Sequence, residues 1–227
     1  MHSLEITREF EKIHTRDRSL DSVIASLVKF RKSFTSIYSI DSIHVYEYVA
    51  DFILDSLTIN PSHHIYKAEF FKSLVHLVYH LYPILDSPNS SRFTSHLYLF
   101  QACTSPSLDL HYSITCLVYS SNIRNDFIKS VHYTIFNNQL NYTEFTRLFL
   151  NLDAKERFLI GYILPIYRNR LMTLFKKAYL SLEADFIKKH LLFDNDYDYT
   201  EFLKKWFKIE TLEKLLTNNT INLRLKI

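Results

Sequence analysis

Apolar residues recur at three- and four-residue steps through most of the first 180 positions, the spacing that keeps them on one face of an α-helix. Ile43, Tyr46, Ala50, Ile53 and Leu57 form one such stripe. Others run through Ala68, Phe71, Val75, Val78, Tyr82 and Leu85, through Phe93, Leu97 and Phe100, and through Phe127, Val131 and Ile135. Breaks fall at Asn60-Pro61, at 86–91 and at Thr104-Ser105-Pro106, where Pro, Ser and Asn supply turns and helix caps. Short connections favour antiparallel neighbours, so residues 1–152 are expected to form a right-handed, TPR-like stack of helical hairpins, without a strict sequence repeat.

From residue 153 the pattern changes. A long helix is expected over 153–180, kinked where Pro165 removes a backbone donor, and carrying Phe158, Tyr162, Leu171, Phe175 and Tyr179. Shorter elements follow: a helix over 184–192, an acidic turn at Asp194-Asn195-Asp196, and a helix over 200–207. Residues 220–227 alternate Ile221, Leu223, Leu225 and Ile227 with polar neighbours, the period of a half-buried strand. A strand over 209–216 can pair with it across Thr217-Asn218-Asn219. Three helices followed by a two-stranded wing is the winged-helix order. The expected fold is therefore mainly α, a hairpin stack over 1–152 and a winged-helix module over 153–227, joined by the long helix into one domain.

Composition narrows the function. With 47% hydrophobic residues in 227, a sizeable core can form. Gly161 is the sole glycine, which excludes phosphate-cradling loops and dinucleotide fingerprints. Phe, Tyr, Ile, Leu, Asn and Lys abound in the way an AT-rich genome produces, so aromatic richness carries no functional weight. Cys103 and Cys116 are the only cysteines, and no charged-then-apolar leader opens the chain. An intracellular protein with free thiols is expected, and the sequons at Asn89, Asn141 and Asn218 read as chance matches. The apolar run over 73–85 is too short to span a bilayer, so no membrane association is expected.

Several blocks carry a family likeness. Val45-Tyr46-Glu47-Tyr48 is followed by Phe52-Ile53; Arg92-Phe93 precedes Tyr98-Leu99; Asn141-Tyr142-Thr143-Glu144-Phe145 leads into a helix. Arg168 and Tyr179 bracket a helix closed by Lys177-Ala178-Tyr179, with Phe193 and Glu201-Phe202 beyond. In order and spacing these resemble the Sac-three/GANP family, scaffold proteins of nuclear mRNA export within the PCI-like superfamily. Asp51 stands where that family commonly has Arg, Arg92 where it has Glu, and Leu140 and Leu192 where it has Gly. The resemblance implies a non-enzymatic subunit of a TREX-2-like nuclear complex. It would pair with a second PCI-domain protein through the winged-helix region and bind a small acidic peptide of the DSS type. Proteasome-lid, initiation-factor and signalosome subunits share the Arg-to-Tyr helix and give the alternative assignment, with the cytoplasm as the alternative to the expected nuclear location. A winged-helix regulator binding one DNA sequence is a third reading.

Charge adds a candidate contact. Up to Ala154 the chain has 13 basic and 15 acidic residues; from Lys155 it has 14 and 9, so a polyanion such as RNA or DNA would meet the C-terminal third. Lys188 and Lys189 on one helix, Lys204, Lys205 and Lys208 on or just beyond the next, and Arg224 and Lys226 on the wing are the candidate phosphate contacts, which would be salt-sensitive and sequence-tolerant. A solvated basic face or an acidic-partner interface is the plain alternative. Trp206 is expected in the core rather than as a base-stacking platform. Arg168 is expected to serve internal packing, since its fork suits bidentate contacts. His76 and His80 share a helix face but imply no third ligand, and Asp194, Asp196 and Asp198 lack the glycine and distal Glu of a calcium loop. No metal, cofactor or catalytic residue is expected.

Overall fold

In a computed structural model the described residues are 3–16, 19–104, 141–161, 163–209, 216–217 and 219–223. The described part is mainly helical with one small antiparallel sheet. In chain order its elements are α1 (Ser3–Arg16), α2 (Leu20–Lys32), α3 (Ile40–Ile59), α4 (His64–His76) running into a π-turn (Leu77–Leu81), α5 (Ser90–Thr104), α6 (Tyr142–Leu150), α7 (Ala154–Ile160), α8 (Leu164–Ala178), β1 (Ser181–Glu183), α9 (Ala184–Leu191), α10 (Asp196–Phe207), β2 (Leu216–Thr217) and β3 (Thr220–Asn222). The expected stripe at Phe127, Val131 and Ile135, the break at Ser105-Pro106, Cys116, and Leu225 and Ile227 of the last strand lie outside the described residues. Among the described residues no helix is long and apolar enough to cross a membrane.

The described residues group into two compact units, one comprising those up to 104 with Asp153–Ile160, the other 141–152 with those from Gly161 onward. In the first unit α3 is central, packing on α2, α4 and α7. Its stripe of Ile43, Tyr46, Ala50, Ile53 and Leu57 is buried as the spacing predicts. Serine side chains at Ser19 and Ser39 cap α2 and α3 by accepting from the backbone N–H three residues on. The stripe of α4 differs from expectation: Tyr66, Phe70, Ser73, Leu74, Leu77 and Leu81 are buried, while Ala68 is exposed and Phe71, Val75 and Val78 are half-buried. The reason is that α4 packs on α3 and also on α5. A helix with two neighbours is apolar over most of its circumference, so spacing alone does not select the deepest line.

Polar groups tie this unit together. Arg31, 3% exposed, donates to the Glu69 backbone carbonyl at 2.9 Å, to Glu69 Oε2 at 2.6 Å and to Ser73 Oγ, joining α2 to α4. Burial pushes the Glu69 carboxyl up, but hydrogen bonds from Lys72 and Arg31 outweigh it and hold the group below its usual range.

The expected single helix over 153–180 is two helices in the structure. Asp153 caps α7 reciprocally with Glu156: Glu156 N–H donates to Asp153 Oδ1 at 2.8 Å, and Asp153 N–H to Glu156 Oε2 at 3.3 Å. Pro165 does not kink a continuous helix; it sits in the first turn of α8, where a missing N–H costs nothing. The α7 segment packs on α3 and α5 of the first unit.

In the second unit the sheet has the order β1-β3-β2, antiparallel throughout. Ser181, Leu182 and Glu183 face Asn222, Ile221 and Thr220, and Leu216 and Thr217 face Ile221 and Thr220. Ile221 and Leu223 are buried and Asn222 is exposed, the alternation read from sequence. β2 and β3 are joined by two residues, and Asn219 takes the left-handed backbone (φ 60°) that asparagine tolerates. The Asn219 carbonyl also accepts from Ala184 N–H at 2.9 Å, so the hairpin turn closes the start of α9.

Candidate docking and polyanion surface

The junction between α9 and α10 is held by α8. α9 ends at Leu192 in the left-handed conformation (φ 58°, ψ 50°), leaving its last carbonyls without helical partners. Three of them are met from α8: Tyr167 Oη donates to the His190 carbonyl at 2.9 Å, Arg168 Nε to Leu191 at 2.8 Å and Arg168 Nη2 to Leu192 at 2.7 Å. A guanidinium suits this end because helix dipoles sum to partial negative charge there. Its carbon sits 3.7 Å from the centre of the Phe193 ring. Burial lowers the Arg168 pKa, opposed by the carboxylates of Asp194 and Asp198. Burial also raises the Tyr167 phenol to about 12. From the far side Tyr199 of α10 donates to the Ala184 carbonyl at 2.9 Å, closing the pair of helices.

Asn195 caps α10 by accepting from Asp198 N–H at 2.8 Å, and Asp196 and Asp198 occupy its first turn, where negative charge is favoured. The helix therefore starts at Asp196 and the acidic turn is its cap. Tyr199, Leu203 and Phe207 form its buried face.

The candidate lysines do not gather into one patch. Lys188 is half-buried and pairs with Asp196 at 2.6 Å, beside the start of α10. Lys204, Lys205 and Lys208 lie toward the other end of that helix, about 12 to 18 Å away at 1.5 Å per residue. Lys204 pairs with Glu201 at 2.9 Å. Lys189, Lys205 and Lys208 are exposed and carry no ion pair among the described residues, and Lys208 caps α10 with φ 52°. Arg224 and Lys226 lie outside the described residues. Trp206 is half-buried and stacks on Phe202 with ring centroids 6.3 Å apart.

Several carboxylates and histidines of the first unit are engaged in structure. Glu47, 6% exposed, accepts from Tyr82 Oη at 2.9 Å and Ser87 Oγ at 2.6 Å on one oxygen, and from Asn89 Nδ2 at 2.8 Å on the other. Asp51 pairs with Arg92 and, at 3.3 Å, with Lys155, which also reaches Asp55 at 3.0 Å. Glu47 and Asp51 line an open cleft of about 600 Å³ together with Phe10, His14, Tyr48 and Phe93, and both carboxylates already have partners. His76 stacks on Tyr46, its ring centre 5.2 Å from that of His80, and its Nε2 is buried. His96 is buried, and burial lowers its pKa to about 4, with Arg92 adding to the effect.

Sequence reasoning identified Arg168 as a packing residue but not its acceptors, which are backbone atoms more than twenty positions away. It also missed β1, Glu47 as a buried acceptor, and the Asp51–Arg92–Lys155 cluster. No protein-family model and no curated protein matches the chain.

Proposed function

We propose that the chain is a non-enzymatic scaffold subunit of a TREX-2-like nuclear mRNA-export assembly, whose second unit is a winged helix that docks on another PCI-domain protein. The observation that carries this reading is the element order α8-β1-α9-α10-β2-β3 with strand order β1-β3-β2. That order matches what a winged helix calls for, a helix-turn-helix pair after a preceding helix and closed by a small wing sheet. The first unit, helices packed around a central α3, is in keeping with a hairpin stack. A second support comes from two departures from the family pattern. Asp51 and Arg92, each opposite in charge to the family residue, are each other's partners, so the reversal preserves an attraction.

Assembly, not chemistry, is the activity. A small acidic peptide of the DSS type is a further expected partner. RNA or DNA contact is secondary and, along α10, falls to Lys204, Lys205 and Lys208, because the other end of that helix presents Asp196 and Asp198; Arg224 and Lys226 remain candidates outside the described residues. Reversing those three lysines to Glu should abolish oligonucleotide binding, whereas reversing Lys188, held by Asp196 more than a screening length of about 8 Å away along α10, should change it little. The reading is tested by purifying the chain natively with its stoichiometric partners. One PCI-domain partner together with export factors supports it. Proteasome, initiation-factor or signalosome subunits would move the chain to the alternative assembly, and no PCI partner at all would refute it.

A further inference from the structure

We propose that α10 is a self-docking surface, on which a second copy of this chain pairs antiparallel about a twofold axis. The inference goes beyond the scaffold reading and uses only the helix itself. Opposite the buried line of Tyr199, Leu203 and Phe207, the exposed side presents Asp198, Glu201, Lys205 and Lys208 in that order. At 3.6 residues per turn these four fall in one narrow stripe, acidic in its first half and basic in its second.

Such a stripe is complementary to its own reverse. Setting the axis at Leu203 places Glu201 against Lys205 of the second copy and Asp198 against its Lys208, and each pairing occurs twice because a twofold interface is isologous. A parallel arrangement sets like charge on like and is disfavoured. Lys205 and Lys208 have no ion pair among the described residues, Glu201 reaches Lys204 one turn away, and Asp198, bonded to the Asn195 cap, is felt only electrostatically by Arg168 of α8. Half-buried Phe202 and Trp206, stacked on each other, border the stripe and supply apolar area. A helix of 12 residues offers a small interface, so the dimer is weak and sensitive to salt.

Sedimentation velocity of the full chain over a concentration series, at low and high salt, provides the test. A dimer is expected at about 100 μM in low salt, weakening with added salt. Glu201→Lys alone or Lys205→Glu alone should raise the dimer dissociation constant about tenfold or more, since each replaces two attractions by two repulsions. The double variant Glu201→Lys/Lys205→Glu should restore dimerisation, with unchanged helical circular dichroism throughout. A chain monomeric at every concentration, or a double variant as weak as the singles, overturns the proposal. A monomeric chain that still captures a PCI partner sinks this inference alone, and a dimer that captures none sinks only the scaffold reading.

Discussion

Arg168 donates to the carbonyl of Leu192 at 2.7 Å, across 24 residues, at the point where α9 turns into α10. The same guanidinium serves Leu191, so one side chain closes the helix end and sets the angle at which α10 leaves. Replacing Arg168 by Met strands two acceptors and removes the cap on Phe193. We expect a loss of about 2–3 kcal/mol, read as a lower urea midpoint at unchanged slope. Arg168→Lys keeps the charge but not the fork, and should recover less than half of that loss.

The two left-handed helix ends of this unit should respond oppositely to glycine. Lys208 is exposed, so Lys208→Gly relieves the backbone and should stabilise by about 1 kcal/mol. Leu192 is 6% exposed, so Leu192→Gly gains the same relief but loses a packed side chain, for a net loss of about 1–2 kcal/mol. Thermal midpoints of the two variants check both signs.

Charge reversal tests the Asp51–Arg92 pair. Asp51→Arg alone and Arg92→Glu alone should each cost about 1 kcal/mol, since the pair is partly exposed. Together they should recover most of it. Recovery stops short of complete because Lys155 also pairs with Asp51 and would then face a like charge. Urea unfolding of the two singles and the double measures the coupling.

Acid should weaken the first unit through His96. Its pKa is lowered to about 4 from the ordinary 6.5, by burial first and by Arg92 next, with Asp51 and Asp153 opposing. The unfolded chain binds the proton more readily, so stability is intact above pH 6.5 and falls as pH drops from there to about 4. The loss amounts to about 3 kcal/mol across that window. His96→Gln should flatten this part of the pH–stability curve, measured by urea midpoints at half-unit pH steps.

Elements built from local chemistry were legible in the sequence: the α3 stripe, the stop at Asn60-Pro61 and the alternation around Ile221. Elements defined by distant partners were not. β1 is three residues long, too short to show a period, and is a strand only because β3 lies beside it some forty positions on. Glu47 reads as an ordinary helix-surface carboxylate until Tyr82, Ser87 and Asn89 fold over it. The lysines looked like one cluster because α9 and α10 are close in sequence, yet the turn between them sends Lys188 and Lys208 to opposite ends of α10.

Amine cross-linking of the natively purified assembly tests the docking role of the second unit most directly, because Lys176, Lys177, Lys189, Lys205 and Lys208 are all exposed reporters. The account predicts that links to the PCI partner concentrate on these lysines. Links confined to the lysines of the first unit, such as Lys29 and Lys72, with the second unit unlinked, would contradict it.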